Sequence, residues 1–271
     1  VITICRFSGE GWDRKCEAAQ DGYVLDGEEK RNSELSAKIF ENGDFCLTNA
    51  ENAMVEKVTK AFPHVIVVMN VGGIVDTKWF KDCDEIQSVL MVWQGGMEGG
   101  LATADVLCGD VNPSGKLTDT WPVNFDDNPS SAGFANEDKN NAQELYNDDI
   151  FVGYRYYDTF GKDVSYEFGY GGSYTTFAMQ TQSVTADKDK VTVKVKVKNT
   201  GSVSGKEVAE VYFSAPEGKL DKPYQELAGY AKTDELAPGE SQVLTITYDT
   251  TEMGSYDTDK AAYVMEDGDY I

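Results

Sequence analysis

The sequence has little histidine, little positive charge and no long apolar run. Its one histidine, His64, precedes an apolar segment, where a hydrogen-bonded structural role is the simpler interpretation and a Ser/His/Asp hydrolase is disfavoured. Against 47 acidic side chains there are 24 basic ones, and the formal net charge of -23 disfavours nucleic acid and anionic membranes as partners. No run approaches the roughly 18 apolar residues that span a bilayer, so we expect no transmembrane helix.

Cysteine is also scarce, and no cofactor or metal ion is expected. The cysteines are odd in number and scattered, which is unlike a disulfide framework or a zinc site and predicts buried free thiols. This usage mildly favours the cytoplasm. The acidic clusters lack the spacing of a calcium loop. The segment WQGGMEGG at residues 93–100 lacks the Lys-Ser/Thr of a phosphate loop, and it predicts a tight strand-to-helix turn, with the lining of a ligand cleft as the alternative.

The first part of the chain alternates strand and helix patterns. Residues 65–70 and 89–93 are apolar runs typical of parallel strands covered on both faces, and residues 1–5 predict a further strand. A helix capped by Thr48 or Asn49 is expected before the strand at residues 65–70, and it should end near Pro63. Its apolar face would carry Val55, Val58 and Phe62, and a second helix is expected at residues 97–107, closed by Gly109. This order predicts an α/β layer arrangement.

The last hundred residues follow a period of two. Valines alternate with lysines and threonine over residues 191–198, which predicts an antiparallel strand with one buried face. Further strands are expected at residues 208–213, 225–230 and 242–248, as in a seven-stranded sandwich whose last strand is incomplete. Between the two patterns, residues from about 110 to 147 predict a long surface loop with a turn at Asn-Pro-Ser-Gly.

One segment carries the strongest candidate for chemistry. The motif SGEGWDR at residues 8–14 directly follows the first predicted strand, at the edge of an α/β sheet that ligands favour. Glycines on both sides of Glu10 allow its carboxyl group to face a ligand, and Trp12 could form an apolar wall for a sugar ring. Asp13 and Arg14 could pair to hold the loop. Taken alone, however, a glutamate in a glycine-containing loop is usually a solvated surface carboxylate.

Six segments together resemble glycoside hydrolase family 3. In chain order they are SGEGWDR (8–14), VIVVMN (65–70), WQGGMEGG (93–100), NPSGKL (112–117), VGYRYYD (152–158) and YEFGYGGSYT (166–175). Each segment alone is modest, but their common order is specific. The resemblance implies an α/β sandwich domain at residues 1–172, with a mainly parallel sheet that is N-terminally incomplete. It implies an all-β fibronectin type III-like sandwich at residues 173–271.

The same resemblance implies a function. Glu10 would be the general acid/base of a retaining β-glucosidase acting on a β-linked glucoside or oligosaccharide, with Trp12 as a substrate-binding residue. The nucleophilic aspartate would lie on a barrel domain in another segment or chain, so these residues alone are expected to be inactive. A β-xylosidase or a related activity is one alternative, and a non-catalytic carbohydrate-binding or scaffold module is another. Oligomerisation and the place of the barrel before or after this segment stay open.

Overall fold

The protein forms two compact units, each assembled from two stretches of chain. The first contains Val1–Ala104 and Trp121–Asn147, and the second contains Asp105–Thr120 and Asp148–Ile271. The sequence predicts a single boundary after residue 172, with one domain on each side of it, and this boundary stays a prediction. The computed structural model describes residues 1–7, 14, 16, 31, 34–35, 37–131, 142–143 and 145–271.

The first unit contains a parallel sheet in the order β1-β2-β3. Its register places Ile4 of β1 opposite Met69 of β2, and Met69 opposite Met91 of β3. The elements of this unit are β1 (Ile2–Arg6), α1 (Asn49–Ala61), β2 (Val65–Val71), α2 (Lys78–Lys81), β3 (Ile86–Met91), the first residues of α3 (Gly99–Cys108), β4 (Trp121–Pro122) and a 3-10 turn at Phe125–Asp127.

The strands explain how the sheet is covered. In β2, Val67 and Val68 are both buried although they point to opposite faces, which confirms the strand covered on both sides that its apolar run predicts. The strand predicted at residues 89–93 is displaced, since β3 begins at Ile86 and ends at Met91. Trp93 has a φ of +55°, a left-handed conformation that cannot continue an extended strand.

Helix α1 begins as its sequence predicts. Thr48 is the N-cap, and it forms a capping box with Glu51 in which each side chain accepts a hydrogen bond from the other residue's backbone N–H. Val55 is buried, whereas Phe62 follows the last helical residue and is 60% exposed. The prediction that Phe62 extends the buried face was therefore wrong, because its extended backbone turns the side chain away from the helical stripe.

The glycine-rich segment between β3 and α3 is a tight turn. A Cβ on Gly95 would lie 2.8 Å from the Cα of Gly99, so only glycine allows the chain to fold back this closely. Helix α3 begins two residues later than predicted, at Gly99, and ends at Cys108. Gly109 then adopts a φ of +82°, which confirms it as the residue that closes the helix.

The second unit is dominated by antiparallel strands. Its two larger sheets are β10-β7-β6 and β8-β9, while β11 and β12 form a separate short hairpin. The sequence predicts a seven-stranded sandwich after residue 172, where the structure has the seven strands β6 to β12, two of which form that separate hairpin. The elements are α4 (Tyr154–Phe160), β5 (Val164–Tyr166), β6 (Phe177–Ala186), β7 (Lys190–Asn199), β8 (Val208–Phe213), β9 (Glu226–Lys232), β10 (Ser241–Asp249), a 3-10 turn at Thr250–Met253, β11 (Ser255–Asp257) and β12 (Ala262–Val264).

The predicted loop at about residues 110–147 contains residues that are held by hydrogen bonds or by burial. In the second unit, the Asn112 side chain accepts hydrogen bonds from Ser173 Oγ and from the Tyr174 backbone and donates to the Ser204 carbonyl. In the first unit, Trp121 is buried and contacts Trp93 edge to face, with ring centroids 6.2 Å apart. The Asn-Pro-Ser-Gly segment is therefore anchored by the side chain of its asparagine.

Candidate functional site

The predicted site residues Glu10 and Trp12, together with Asp13, lie outside the described residues. The structure does describe the chain on both sides of them, at Arg6 and at Arg14. The candidate site is therefore built from these two flanks and from the segments that they contact.

Arg6, the last residue of β1, is almost completely buried and uses all five of its side-chain N–H groups. Two of them bind the Glu51 carboxylate, at 2.8 and 2.6 Å, in a bidentate pair. The other three donate to the backbone carbonyls of Cys5, Asp44 and Cys46 at 2.8 to 2.9 Å. A buried guanidinium with every donor satisfied fixes the end of β1 against the residues before α1.

Glu51 joins this arginine to the start of helix α1. Its carboxylate also accepts the backbone N–H of Thr48 at 2.9 Å, so the capping box and the ion pair share one side chain. Burial raises the pKa of the Glu51 carboxyl, but the hydrogen bonds from Arg6 and Thr48 outweigh it, and the pKa lies below its ordinary value. The carboxylate is thus held in its charged form.

Arg14 fixes the chain on the C-terminal side of Glu10. It is 8% exposed, and its Nη1 lies 3.4 Å from Oδ2 of Asp44. Asp44 is itself buried, and it follows Gly43, whose φ of +76° allows the chain to turn there. Burial lowers the pKa of the Arg14 guanidinium, and the Asp44 carboxylate opposes that shift. Within the described part of the chain, Nε and Nη2 of Arg14 have no hydrogen-bond partner.

The two flanks converge on one residue. Arg6 Nε donates to the carbonyl oxygen of Asp44 at 2.9 Å, and Arg14 pairs with its carboxylate. The residues that flank the segment 7–13, Arg6 and Arg14, are therefore held on the same short stretch of chain, which we call the anchor segment and define as residues 44–51. A loop whose ends are fixed in this way needs less ordering when a ligand binds.

Two further strands end at the same edge of the sheet as β1. The backbone N–H of Gly72, just after β2, donates to the Arg6 carbonyl at 3.2 Å. Asn70 Nδ2 donates to the carbonyl oxygen of Trp93, which follows β3. The carboxyl ends of all three parallel strands are thus joined by hydrogen bonds, and this is the edge at which open α/β sheets bind ligands.

Sequence reasoning did not single out Arg6, Asp44 or Glu51. One signal was available, because Thr48 and Glu51 have the spacing of a capping box. Nothing in the sequence, however, indicates that the same glutamate also pairs with an arginine 45 positions earlier. The prediction that Arg14 holds the loop by pairing with Asp13 stays untested, while its described partner is Asp44.

The remaining candidates have structural surroundings or differ from expectation. His64 Nδ1 lies 2.9 Å from Gln87 Oε1, which supports the hydrogen-bonded role expected for it. All five cysteines are free, but three are exposed and two are half-buried, so the prediction of buried thiols was wrong. Cys5, for example, lies on the exposed face of β1, between the buried Ile4 and Arg6. In the described residues, no group of three or more potential ligands is arranged to hold a metal ion. None of the described helices has the length and apolar character needed to cross a bilayer.

Two family models match the chain. The glycosyl hydrolase family 3 C-terminal domain matches residues 3–154, which include Glu10 and the anchor segment. The fibronectin type III-like domain matches residues 207–271, which include β8 to β12. Together they confirm the predicted fold class of an α/β sandwich followed by a fibronectin-like sandwich.

Relatives with these domains are considerably longer than this chain. Beta-glucosidase A of Butyrivibrio fibrisolvens is 49% identical over 100% of the chain, which spans 35% of that protein. A beta-glucosidase of Ruminococcus albus is 44% identical over 90% of the chain and 25% of that protein. The structure of beta-glucosidase 3B from Thermotoga neapolitana in complex with glucose superimposes with a TM-score of 0.83 and 40% identity, over 99% of this chain and 34% of that one. By its family match and by these relatives, the chain belongs to glycosyl hydrolase family 3.

Proposed function

We propose that this chain is part of a retaining β-glucosidase and supplies its general acid/base, Glu10. The observation that carries the proposal is that Arg6 and Arg14, on either side of the segment containing Glu10, both contact the anchor segment. A proton donor must stay within hydrogen-bond reach of the leaving oxygen, so fixed flanks suit the role. The relatives named above are all β-glucosidases, which favours a glucoside as substrate.

The proposed reaction needs a second carboxylate from elsewhere. In a retaining glycosidase one carboxylate attacks the anomeric carbon while the other protonates the departing oxygen and later activates water. We assign the second role to Glu10 and the first to an aspartate on a barrel domain beyond this chain, since the chain spans about a third of its relatives' length. Trp12 would offer its ring to the sugar. A cytoplasmic location is part of the same proposal.

The test is Glu10→Gln in the complete enzyme, assayed on aryl β-glucosides with graded leaving groups. Loss of the acid should lower kcat/KM by about 10²- to 10⁴-fold for poor leaving groups, and by much less for activated ones that depart without protonation. Glu56→Gln is a matched control, because Glu56 is an exposed glutamate of the same unit. Equal losses on all substrates would contradict the acid/base role.

Substrate identity is tested with the same preparation. Aryl β-glucosides should be hydrolysed with a higher kcat/KM than the corresponding aryl β-xylosides. The reverse order would favour a β-xylosidase, and no hydrolysis of any aryl glycoside by the complete protein would favour a non-catalytic carbohydrate-binding module.

A further inference from the structure

Helix α3 is largely apolar, yet none of its residues is buried in the described structure. Met97, which lies just before the helix, is fully exposed, and Leu101 is 66% exposed. Gly100 and Ala104 are exposed as well. Met97, Gly100, Leu101 and Ala104 have the spacing of three and four residues that places side chains on one side of a helix. We call these four residues the α3 face.

The chain around the α3 face carries almost no charge. Residues 86–104, which run from β3 into α3, contain a single charged side chain, that of Glu98, although 26% of the whole sequence is charged. A surface that stays in water normally carries charged side chains throughout. Exposed apolar side chains in a nearly uncharged stretch are instead typical of a surface that another segment covers.

Two glycines at the start of α3 point to a close neighbour. A Cβ on Gly99 or Gly100 would meet nothing within 4 Å, and neither residue has a φ in the left-handed range. Their backbone conformation therefore does not require glycine, which is a poor residue for a helix. Glycine does allow another backbone to approach closely. The start of α3 is thus suited to tight packing against a further part of the enzyme.

The start of α3 lies at the edge of the sheet that leads into the segment with Glu10. Strand β3 ends at Met91 and continues through the tight turn into α3, while β1 ends at Arg6 and continues into residues 7–13. Both strands run parallel to β2, one on each side of it. Their carboxyl ends are therefore about 10 Å apart, which is two strand spacings. A domain that docks at this edge is within reach of the α3 face.

We propose that the α3 face is a surface on which the barrel domain of the complete enzyme docks. The chain spans 35% of one relative and 34% of another, although it aligns over 100% and 99% of its own length. A large part of such an enzyme is therefore available to cover this face. The inference rests on the proposed function in naming the barrel, whose nucleophile must lie roughly 5 to 5.5 Å from the acid/base.

The first test is maleimide labelling of Leu101→Cys in the complete enzyme, with the labelled position found by peptide mapping. Glu56→Cys is the matched control, because the Glu56 side chain is 70% exposed on α1 and Leu101 is 66% exposed on α3. If the barrel covers position 101, native Leu101→Cys should be labelled at least about tenfold more slowly than Glu56→Cys. In denaturant the two should react at the same rate. Equal rates in the native enzyme overturn the proposal.

A second measurement identifies what covers the α3 face. A photoreactive phenylalanine analogue at position 97 should, on illumination of the complete enzyme, crosslink within one molecule to a peptide of the barrel domain. A crosslink to a second copy, or to any peptide outside the barrel, overturns the proposal. Neither measurement depends on hydrolysis, so their failure can be distinguished from failure of the acid/base role, which Glu10→Gln tests.

Discussion

Strands β2 and β7 are both rich in valine, yet they are buried differently. In β2, Val67 and Val68 are adjacent and both buried, at 0% and 7% exposure. In β7, Val193 and Val195 are buried while Lys194 between them is exposed. The first strand is the middle one of a parallel sheet covered on two sides, and the second belongs to a sheet covered on one. Burial of one face or of two therefore distinguishes the two units.

The two units also differ in the kind of polar residue that they bury. In the first unit a charged side chain, Arg6, is buried and paired with Glu51. In the second a neutral one, Asn199, is fully buried and forms four hydrogen bonds. Its amide donates to the carbonyls of Val203 and Leu236 and accepts from Thr175 Oγ1 and the Gly201 N–H. The charged residue flanks the segment that contains Glu10, while the neutral one joins the end of β7 to neighbouring turns.

The largest effect is expected from lysine substitutions in β2. Val67→Lys and Val68→Lys should each destabilise the first unit by about 3–5 kcal/mol, because an unpaired charge would be buried on either face. Hydrogen exchange of the peptide covering β2 would measure this loss of stability. In β7, Val193→Lys on the buried face should behave so, whereas Lys194→Val on the exposed face should change stability by less than about 0.5 kcal/mol. Unchanged exchange in Val68→Lys would refute two-sided burial.

Breaking the charged contact should have the next largest effect. Glu51→Ala leaves the buried Arg6 without its carboxylate and should cost about 3 kcal/mol. Protection of helix α1 in hydrogen exchange is the measurement. Glu56→Ala is the control, since the Glu56–Lys60 pair is exposed and should contribute less than about 0.5 kcal/mol. Similar losses in both variants would show that the Arg6 pair is no more than a surface pair.

The neutral contact should give a smaller loss. Asn199→Ala removes the four hydrogen bonds of a fully buried side chain, at a cost of about 2 kcal/mol. Urea denaturation combined with exchange of the β7 and β10 peptides would detect it. The adjacent exposed residue provides the control, because Lys198→Ala should leave the midpoint almost unchanged. A loss as large as that of Glu51→Ala would remove the distinction between the two polar cores.

Acidification should weaken both units, by a smaller amount. Glu51 in the first unit and Glu266 in the second have lowered pKa values, and hydrogen bonds from Lys222 and from the Lys219 and Leu220 backbone hold that of Glu266 at about 2. A lowered folded-state pKa means that the stabilisation is complete above the ordinary value of 4.5 and is lost as the pH falls through the folded value.

Urea midpoints measured between about pH 2 and 4.5 would follow this loss. Glu266→Gln should flatten the pH dependence of the second unit, because no carboxylate remains to be protonated at that position. An unchanged pH dependence in this variant would show that Glu266 does not contribute.

Much of the fold could be predicted from particular residues. The valine run of β2, the alternation of β7, the Thr48 cap and the closing Gly109 all depend on interactions within a few residues, and all are present. The end of β3 could not be predicted, because Trp93 turns away under the influence of Asn70 and Trp121, which are distant in the sequence. The exposure of the cysteines likewise depends on what covers each segment.

The sequence by itself determined the two kinds of layering and the family, since periodicity and motif spacing are local properties. The role of Glu10 as the acid/base stays a prediction. The tertiary structure alone decided that Arg6 and Arg14 meet at Asp44. These pairs join positions 30 or more residues apart, and only the folding of the chain around the sheet brings them within contact distance. Anchoring of the loop is therefore a property of the fold.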